Sequence, residues 1–342
     1  MSIESRLDQL YAIGGGPGAN RPHGSAAEDE AHELASSWLR EAGLEVEVDP
    51  HGNLFGHVPV SDTGARPVWT GSHLDTVPHG GRFDGALGVV AAIEAVERVG
   101  AGSVVVFRGE EVGCIGSRAL VASGDPLPRA FLELHVEQGP VLAAADAPLG
   151  VVTGIAGYAR GELVLGGRAG HAGTTPMTGR DDALVAAAAE ILRVQDAALA
   201  VDGAVATIGQ VEVEPGGANV IPARVRLSLD VRAPDADRLD ELIAAIGFEP
   251  DYRVEPAHFE GAARSALADA VAARGLPVIE LPSGAGHDAG ILAAAGVDAA
   301  MLFVRGLAGG VSHAPDELSA EEDISLAVDV LADALERVAT SR

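Results

Sequence analysis

The stretch Gly71–Gly88, GSHLDTVPHGGRFDGALG, decides how the rest of the chain is organised. It follows Pro67–Thr70, an apolar run typical of a short buried strand, so its polar residues begin where a strand ends. Ligands in open α/β sheets collect beyond the carboxyl ends of the strands. His73 and Asp75 are two residues apart, so in extended backbone they point the same way and the carboxylate can orient the imidazole.

A second carboxylate, Asp84, follows a loop rich in glycine. Gly80, Gly81 and Gly85 let the backbone turn sharply, which would bring Asp84 back toward His73. One imidazole with carboxylates close by is the pattern of a metal site. The alternative is a surface loop that carries His and Asp without any ligand, but the composition of the whole stretch favours the metal site.

Length and composition indicate a soluble protein of two domains. The chain has 342 residues, and domains usually have ~100–200 residues. Hydrophobic residues make up 47%, yet no apolar run approaches the ~20 residues of a membrane span. The start, MSIESRLDQL, has no secretory pattern. We therefore expect a cytoplasmic protein without a membrane partner.

The charged residues exclude several kinds of function. Acidic residues number 50 and basic residues 23, a formal net charge of −27 that argues against a nucleic-acid partner. Every basic residue is arginine, which excludes Schiff-base chemistry and the phosphate lysine of a P-loop. Cys114 is the only cysteine, so no intrachain disulfide forms, and a small buried residue is its expected state.

Other predicted strands also end in polar clusters. Ser103–Phe107 is a β-branched run that leads to two adjacent glutamates, and Phe131–Leu134 leads to a histidine. A further histidine lies in Ser312–Glu317, between a strand and the last helix. Strand ends of one parallel sheet share one edge, so we expect these side chains to converge there. The candidate metal ligands are His73, Asp84, Glu111, His135 and His313.

This ligand set indicates a two-metal hydrolase. Imidazole and carboxylate donors suit zinc, manganese, cobalt or nickel. One carboxylate can bridge two metals that lie ~3.5–4 Å apart, and Asp84 is the candidate. Glu110, beside Glu111, is then placed to act as the general base. A solvated loop is the alternative interpretation of the adjacent glutamates.

The order of elements changes in the middle of the chain, where residues 157–258 have the βαββαβ order of a ferredoxin-like domain. The α/β pattern that precedes this segment resumes after it. We therefore predict a catalytic domain of residues 1–156 and 259–342, and an inserted domain of residues 157–258. The predicted elements of the insertion are strand Arg160–Leu165, helix Asp181–Val194, strands Ala204–Val213 and Arg224–Val231, helix Ala236–Ile246 and strand Tyr252–Pro256.

Six motifs carry a resemblance that runs from about Glu28 to Glu321: GSHLDTVPHGGRFDGALG, ELHVEQGPVL, GHAGTTPM, GGANVIP, SGAGHDA and SHAPDE. With them the chain resembles the hydantoinase/carbamoylase family of metal-dependent amidohydrolases. That family includes N-carbamoyl-L-amino acid hydrolases, β-ureidopropionases and allantoate amidohydrolases, within a clan of aminoacylases and dipeptidases. The resemblance implies a metallopeptidase-like α/β catalytic domain with a mostly parallel sheet. It also implies an inserted lid that pairs two copies as a homodimer and reaches a neighbouring active site.

The resemblance assigns chemistry to the first domain. It implies that the five candidate ligands hold two divalent ions per subunit, with Asp84 as the bridge. Glu110 becomes the general base, and Asp75 orients His73. It also implies that Gln138 and the loop around His287 line the substrate pocket.

In the inserted domain, the resemblance implies substrate contacts that local patterns do not reveal. His171 would polarise the scissile carbonyl, while Asn219 and Arg232 would hold the substrate carboxylate. Without the resemblance, His171 is interpreted as a loop histidine and Arg232 as a surface arginine.

The expected reaction is hydrolysis of a ureido C–N bond in an N-carbamoyl-L-amino acid or a related ureido acid. Allantoate hydrolysis, an aminoacylase or dipeptidase activity, and a catalytically silent metal-binding or ligand-binding protein are the alternatives. Glu110 beside Glu111 argues against the silent protein. The segment after Glu111 and the one before ELH are shorter than is usual in the family, which affects the pocket rim and hence the substrate more than the chemistry.

Overall fold

The computed structural model describes residues 1–59 and 67–341. Residues 60–66 and 342, which belong to the predicted catalytic domain, lie outside this description. The helices are α1 (Ile3–Ala12), α2 (Ala26–Glu41), α3 (Ala86–Val99), α4 (Ile115–Ser123), α5 (Val141–Ala144), α6 (Ala183–Ala200), α7 (Ala236–Ile246), α8 (Ala262–Ala272), α9 (Asp288–Ala294) and α10 (Glu321–Thr340).

The strands fall in two compact units, Met1–Gly154 with His258–Arg342 and, separately, Ile155–Ala257. They are β1 (Glu45–Val48), β2 (Leu54–His57), β3 (Val68–His73), β4 (Ser103–Phe107), β5 (Ala130–Val136), β6 (Leu149–Ile155), β7 (Gly157–Gly166), β8 (Gly170–His171), β9 (Val205–Thr207), β10 (Val211–Glu214), β11 (Val220–Ile221), β12 (Arg224–Ala233), β13 (Tyr252–Val254), β14 (Ala257–His258), β15 (Glu280–Ser283) and β16 (Asp298–Val304).

The sheet of the first unit has the order β1-β2-β4-β3-β5-β16-β6, and β15 also pairs with β6. Its four central strands, β4, β3, β5 and β16, are parallel to one another, while β1, β2 and β6 pair in antiparallel fashion. Every residue of β3, β4 and β5 is buried, as expected for parallel strands covered on both faces. The predicted α/β class with a parallel central sheet is confirmed.

Helix α3 is the centre of the core on one side of this sheet. It begins at Ala86, two residues after the candidate ligand Asp84, and is capped at its C-terminus by Gly100, which adopts a left-handed conformation. Ten of its fourteen residues are buried, because the sheet covers one side of the helix and α1 and α10 cover others. Leu331 and Leu335 of α10 are fully buried in the same core. The loop that carries Asp84 therefore rests on a rigid element.

The second unit has an antiparallel sheet with the order β10-β12-β7-β13, and β9 also pairs with β12. Helices α6 and α7 pack on this sheet through Val194, Leu239 and Leu242. The predicted βαββαβ order is confirmed.

One predicted strand of this unit, residues 204–213, is wrong as a continuous element. It is split into β9 and β10, because Ser228 of the partner strand pairs with Gln210: its hydroxyl accepts from the Gln210 N–H at 2.9 Å, and its own N–H donates to the Gln210 carbonyl. The Gln210 N–H is thus bonded to a side chain and not to a backbone carbonyl of the partner strand. In the described ranges of the chain, no helix is long and apolar enough to span a membrane.

Candidate metal centre

The carboxyl ends of β3, β4 and β5 place the predicted ligands at one edge of the sheet. His73 is the last residue of β3, and His135 is the sixth residue of β5. Gly85 brings Asp84 close to His73: its φ is 62°, and a Cβ at this position would lie 2.5 Å from the His73 ring. Only glycine fits both the conformation and the space. His73 Nε2 consequently lies 3.6 Å from Asp84 Oδ1.

The first group of ligand atoms consists of His73, His135 and Asp84. Nδ1 of His73 lies 3.0 Å from the carbonyl oxygen of Asp75, and Nδ1 of His135 lies 2.9 Å from that of Val136. A carbonyl only accepts, so each Nδ1 carries a proton, and in the neutral ring the lone pair lies on Nε2. His135 Nε2 is 3.2 Å from Asp84 Oδ1, and the buried His73 Nε2 has no hydrogen-bond partner among the described residues. These orientations fit metal ligation.

The second group consists of Asp84, Glu111 and His313. His313 Nε2 lies 3.2 Å from Asp84 Oδ2 and 3.3 Å from Glu111 Oε2. Asp84 thus turns Oδ1 toward the first group and Oδ2 toward the second. In each group the ligand atoms lie within 4.8 Å of one another. The structure brings all five predicted ligands together, and their imidazole and carboxylate donors suit a divalent metal.

The Asp75 carboxylate links the segment that follows β3 to the segment that follows β4. Its Oδ1 accepts from the Glu110 N–H at 3.0 Å, and its Oδ2 accepts from the Glu111 N–H at 3.1 Å. Oδ1 also lies 3.4 Å from His73 Nδ1. Burial raises the pKa of Asp75, but His73 and the two N–H donors outweigh burial and lower it. The carboxylate therefore stays ionised where it can orient His73.

Glu110 lies between the first ligand group and a further histidine. Its Oε2 is 3.7 Å from His73 Nε2, and its Oε1 is 3.9 Å from His287 Nδ1. Burial raises the pKa of Glu110 well above its ordinary range, although His73 lowers it in part. A carboxyl with a raised pKa is suited to accept and return a proton near neutral pH. Cys114, a buried free thiol, lies 4.0 Å from Glu110 Oε1.

The charges of the site favour a bound cation. Burial lowers the pKa of His73, but Glu110 and other nearby carboxylates raise it well above its ordinary value. Hydrogen bonds to Asp84 and Glu111 raise the pKa of His313 to about 10. Burial raises the pKa of Asp84, and the imidazoles of His135 and His313 lower it well below its ordinary value. Carboxylates that hold protons on imidazoles this strongly also attract divalent ions, which compete with those protons.

Two predicted pocket residues lie against the ligand groups. The Gln138 amide donates to Asp84 Oδ2 at 3.0 Å and to Ser312 Oγ at 3.2 Å. The His287 ring lies 4.5 Å from the His135 ring, and its Nε2 is 2.9 Å from Ser283 Oγ. Burial and then His135 lower the pKa of His287 well below its ordinary value, so this ring is neutral.

Two buried glutamates of this region were missed by the sequence analysis. Glu133 accepts from Ser72 Oγ at 2.8 Å and from the Ala289 N–H at 3.1 Å, and with His135 and His287 it forms a third group of potential ligand atoms. Glu317 accepts N–H bonds from the Asp84 turn. Glu133 is two residues before His135 in a strand, and that spacing is a signal that could have placed both on one face.

In the second unit, the structure brings His171 and Asn219 together. The short strands β8 and β11 pair His171 with Val220, and the Ala172 N–H donates to the Asn219 carbonyl at 3.0 Å. His171 is exposed, and its Nδ1 accepts from the N–H groups of Gly173 at 3.1 Å and Thr174 at 3.2 Å. With Nδ1 as the acceptor, Nε2 carries a proton and is a donor.

Arg232 lies on β12, whereas His171 and Asn219 lie at the small sheet that β8 and β11 form. Its Nε donates to Asp230 Oδ1 at 2.9 Å, and its guanidinium carbon lies 5.5 Å from the centre of the Tyr158 ring. These contacts orient the guanidinium of a half-buried side chain.

Comparison with known proteins gives three kinds of match. The sequence model of peptidase family M20/M25/M40 matches residues 69–337. An N-carbamoyl-L-amino acid amidohydrolase of Geobacillus stearothermophilus is 35% identical over 95% of this chain and 95% of its own, and an allantoate amidohydrolase of Bacillus subtilis is 32% identical over 87% of each. The crystal structure of an amidase of the hydantoinase/carbamoylase family from Burkholderia multivorans has a TM-score of 0.91 at 30% identity, covering 99% of this chain and 97% of the other.

The alignment with the Geobacillus protein spans 391 residues, which is more than the 342 residues of this chain. That relative therefore contains residues that have no counterpart here.

Proposed function

The chain belongs to peptidase family M20/M25/M40, in its hydantoinase/carbamoylase group, and from this premise we propose that it hydrolyses a ureido C–N bond in an N-carbamoyl-L-amino acid or a related ureido acid. One observation supports the chemistry: Asp84 presents one oxygen to each of two groups of ligand atoms, and the largely buried Glu110 lies beside the first group. The activities named for the relatives support the substrate class.

Two divalent ions per subunit, of zinc, manganese, cobalt or nickel, fit the proposed site. His73, His135 and Asp84 Oδ1 would hold one ion, and Glu111, His313 and Asp84 Oδ2 the other. Ions held there would supply Lewis-acid polarisation of the carbonyl and make water easier to deprotonate.

Glu110 moves the proton. Its carboxylate accepts a proton from the attacking water as the water oxygen bonds to the ureido carbonyl carbon. The bond from that carbon to the leaving nitrogen then breaks, and the proton held by Glu110 goes to this nitrogen. The burial that raises the pKa of Glu110 helps it to keep the proton between the two steps. Asp75 holds His73 in orientation during both.

The second unit is proposed to bind the substrate. The Nε2–H of His171 would donate to the carbonyl oxygen as negative charge develops on it. The fork of Arg232 matches a carboxylate in a bidentate manner, with Asn219 as a further donor. In the first unit, Gln138 and His287 are the proposed substrate contacts.

We also infer that two copies of the chain pair through the second unit. Helix α6 exposes Val185, Leu192 and Leu199, which are 65%, 62% and 79% accessible and recur every seven residues along one side. A row of exposed apolar side chains on one helix indicates a contact surface. The edge strands β10 and β13 offer unpaired backbone groups to a second copy.

A substrate panel tests the proposed function. Ammonia and amine release would be measured with N-carbamoyl amino acids, allantoate, ureidoglycolate, N-acyl amino acids and dipeptides, after manganese, zinc, cobalt or nickel is added to metal-free protein. We expect metal-dependent turnover of ureido acids. Allantoate is the second candidate substrate, because of the Bacillus subtilis relative. Turnover of only acyl amino acids or dipeptides would overturn the ureido assignment, and no turnover at all would favour a silent binding protein.

A further inference from the structure

Glu317 connects two loops that carry proposed metal ligands. The side chain is buried, with 5% of its surface exposed. Its Oε2 accepts from the N–H groups of Phe83 at 2.6 Å and Asp84 at 3.1 Å. Its Oε1 accepts from the Ser312 hydroxyl at 2.7 Å. The Glu317 carboxylate therefore links the turn that carries Asp84 to Ser312, the residue directly before His313.

The protein leaves space for this carboxylate at Gly81. A Cβ at residue 81 would lie 2.2 Å from the carboxyl carbon and from Oε2 of Glu317. Any larger residue at this position would displace the glutamate. The glycine loop of the decisive stretch thus serves a second purpose, which is to admit the side chain of a residue more than two hundred positions away.

The hydrogen bonds around Glu317 form a closed ring. The Ser312 hydroxyl donates its only proton to Glu317, so its oxygen is free to accept from the Gln138 amide at 3.2 Å. The same amide nitrogen donates to Asp84 Oδ2 at 3.0 Å. Each donor and each acceptor in the ring is used consistently, and bonds in such a ring reinforce one another. Asp84 is held at its backbone by Glu317 and at its carboxylate by Gln138.

The second ligand group has the greater need of such support. The rings of His73 and His135 are buried, whereas the His313 side chain is 49% exposed. His313 also adopts a left-handed backbone conformation, with φ of 54°. A non-glycine residue keeps such a conformation only when its surroundings impose it.

We propose that Glu317 is a positioning residue that sets the geometry between Asp84 Oδ2 and His313 and thereby the affinity of the second metal ion. This inference rests on the metal assignment in the proposed function. Glu317 is not a member of either proposed ligand group. Its effect passes through the Asp84 turn and through Ser312.

The test measures metal affinity without substrate. Metal-free Glu317→Gln protein is titrated with Mn²⁺ by calorimetry and with Co²⁺ by absorption spectroscopy. Gln keeps the size of the side chain but places an amide group against N–H or O–H donors. We expect about 10–100-fold weaker binding of one ion, the usual effect of losing a group that orients metal ligands, with the other ion affected far less. The Co²⁺ spectrum of the weakened site should also change.

Asp298→Asn is a matched control. The Asp298 carboxylate also lies against a glycine, since a Cβ at Gly261 would lie 1.8 Å from its Oδ1, and its Oδ2 accepts from the Ala263 N–H at 3.1 Å. It is the first residue of β16, at the opposite end of the sheet from the ligands. Both metal affinities should be unchanged in this variant.

Ser312→Ala removes the hydroxyl that links Glu317 to the His313 loop and that accepts from Gln138, but it leaves the bonds of Glu317 to the Asp84 turn, so we expect a smaller loss at the same ion. If Glu317→Gln does not fold, Ser312→Ala carries the test. Affinities within threefold of the unsubstituted protein, or an equal loss in Asp298→Asn, would overturn the inference. If the unsubstituted protein hydrolyses no ureido acid and Glu317→Gln still weakens one ion, the proposed reaction fails and this inference stands.

Discussion

The two compact units hold their candidate residues in different ways. In the first unit, His73, Asp84 and His135 are buried, and the candidate residues are oriented by one another and by Asp75. In the second unit, His171 is exposed and its orientation comes from two N–H groups of its own loop. Arg232 is half-buried and is oriented by Asp230 on the same strand.

This difference separates two kinds of function. Buried ionisable groups in mutual contact tolerate little change, because each lost partner leaves a buried charge or a free ligand atom. Exposed side chains that are oriented only by neighbouring residues can be replaced without harm to the fold, and they can change conformation when a substrate binds. The contrast predicts that substitutions in the first unit affect metal binding and proton transfer, while substitutions in the second affect substrate binding.

The largest expected effect is that of Glu110→Gln. Loss of a general base lowers kcat by about 10²–10⁴-fold. Metal content should stay near that of the unsubstituted protein, because both proposed ligand groups remain. Glu111→Gln, one residue along, should instead lose one ion per subunit. Metal analysis after dialysis, together with kcat, distinguishes the two, and equal metal loss in both variants would show that the two glutamates have been assigned in reverse.

The next prediction concerns the dimer, in which we expect His171 to serve the site of the partner copy. His171→Ala and Glu110→Gln chains should each be nearly inactive on their own. Mixed dimers would contain one site with both lesions and one with neither. Random exchange should restore about a quarter of the unsubstituted activity, since about half of the dimers are mixed. Labelled chains confirm the exchange, and mixing without recovery of activity would place His171 in its own chain's site or outside the chemistry.

Arg232→Lys should raise KM for carboxylate substrates by roughly 10–100-fold, the worth of a hydrogen bond to a charged group, with less effect on kcat. A point charge cannot reproduce the bidentate fork. Arg226→Lys, on the same face of β12 and paired with Glu212 at 3.4 Å, is the control and should leave KM unchanged. An equal rise in KM for an amide analogue that lacks the carboxylate would show that Arg232 is structural.

The sequence predicted the parts of the fold and site that depend on local order. His73 and Glu111 could be placed at one edge of the sheet because His73 ends one apolar strand and Glu111 follows another, and parallel strands bring their carboxyl ends together. The βαββαβ order of the second unit could also be predicted, because the hydrophobic periodicity of each helix and strand is local. His171, by contrast, lies in a polar glycine loop with no local signal, and only resemblance to a family singled it out.

Contacts between distant segments explain what was missed. Glu133 accepts from Ser72, 61 residues away, and from Ala289, 156 residues away, and no pattern in the single sequence links these positions. Glu317 reaches the Asp84 turn across 233 residues. The break between β9 and β10 likewise depends on Ser228, a residue of another strand. Side-chain to backbone bonds of this kind are decided by packing and leave no periodicity.

The smallest expected effect is on stability, and it again belongs to the first unit. His32 of α2 is buried, neither of its ring nitrogens has a hydrogen-bond partner among the described residues, and burial, followed by Arg108, lowers its pKa to about 3. The unfolded chain, with a histidine pKa of about 6.5, therefore binds more protons between these two values. Stability is fully present above pH 6.5 and falls as the pH drops toward 3, by up to about 1.4 kcal/mol per unit.

His32→Leu should remove this contribution, so that the free energy of unfolding falls by about 2 kcal/mol less between pH 6.5 and 5 than in the unsubstituted protein. Both tryptophans, Trp38 and Trp69, lie in the first unit, so urea unfolding followed by tryptophan fluorescence reports on that unit alone. His51→Leu, at an exposed turn, is the control for the loss of one histidine. If His32→Leu and His51→Leu have the same pH dependence, His32 is protonated in the folded protein, and the buried groups of the first unit are more accessible to protons than their packing indicates.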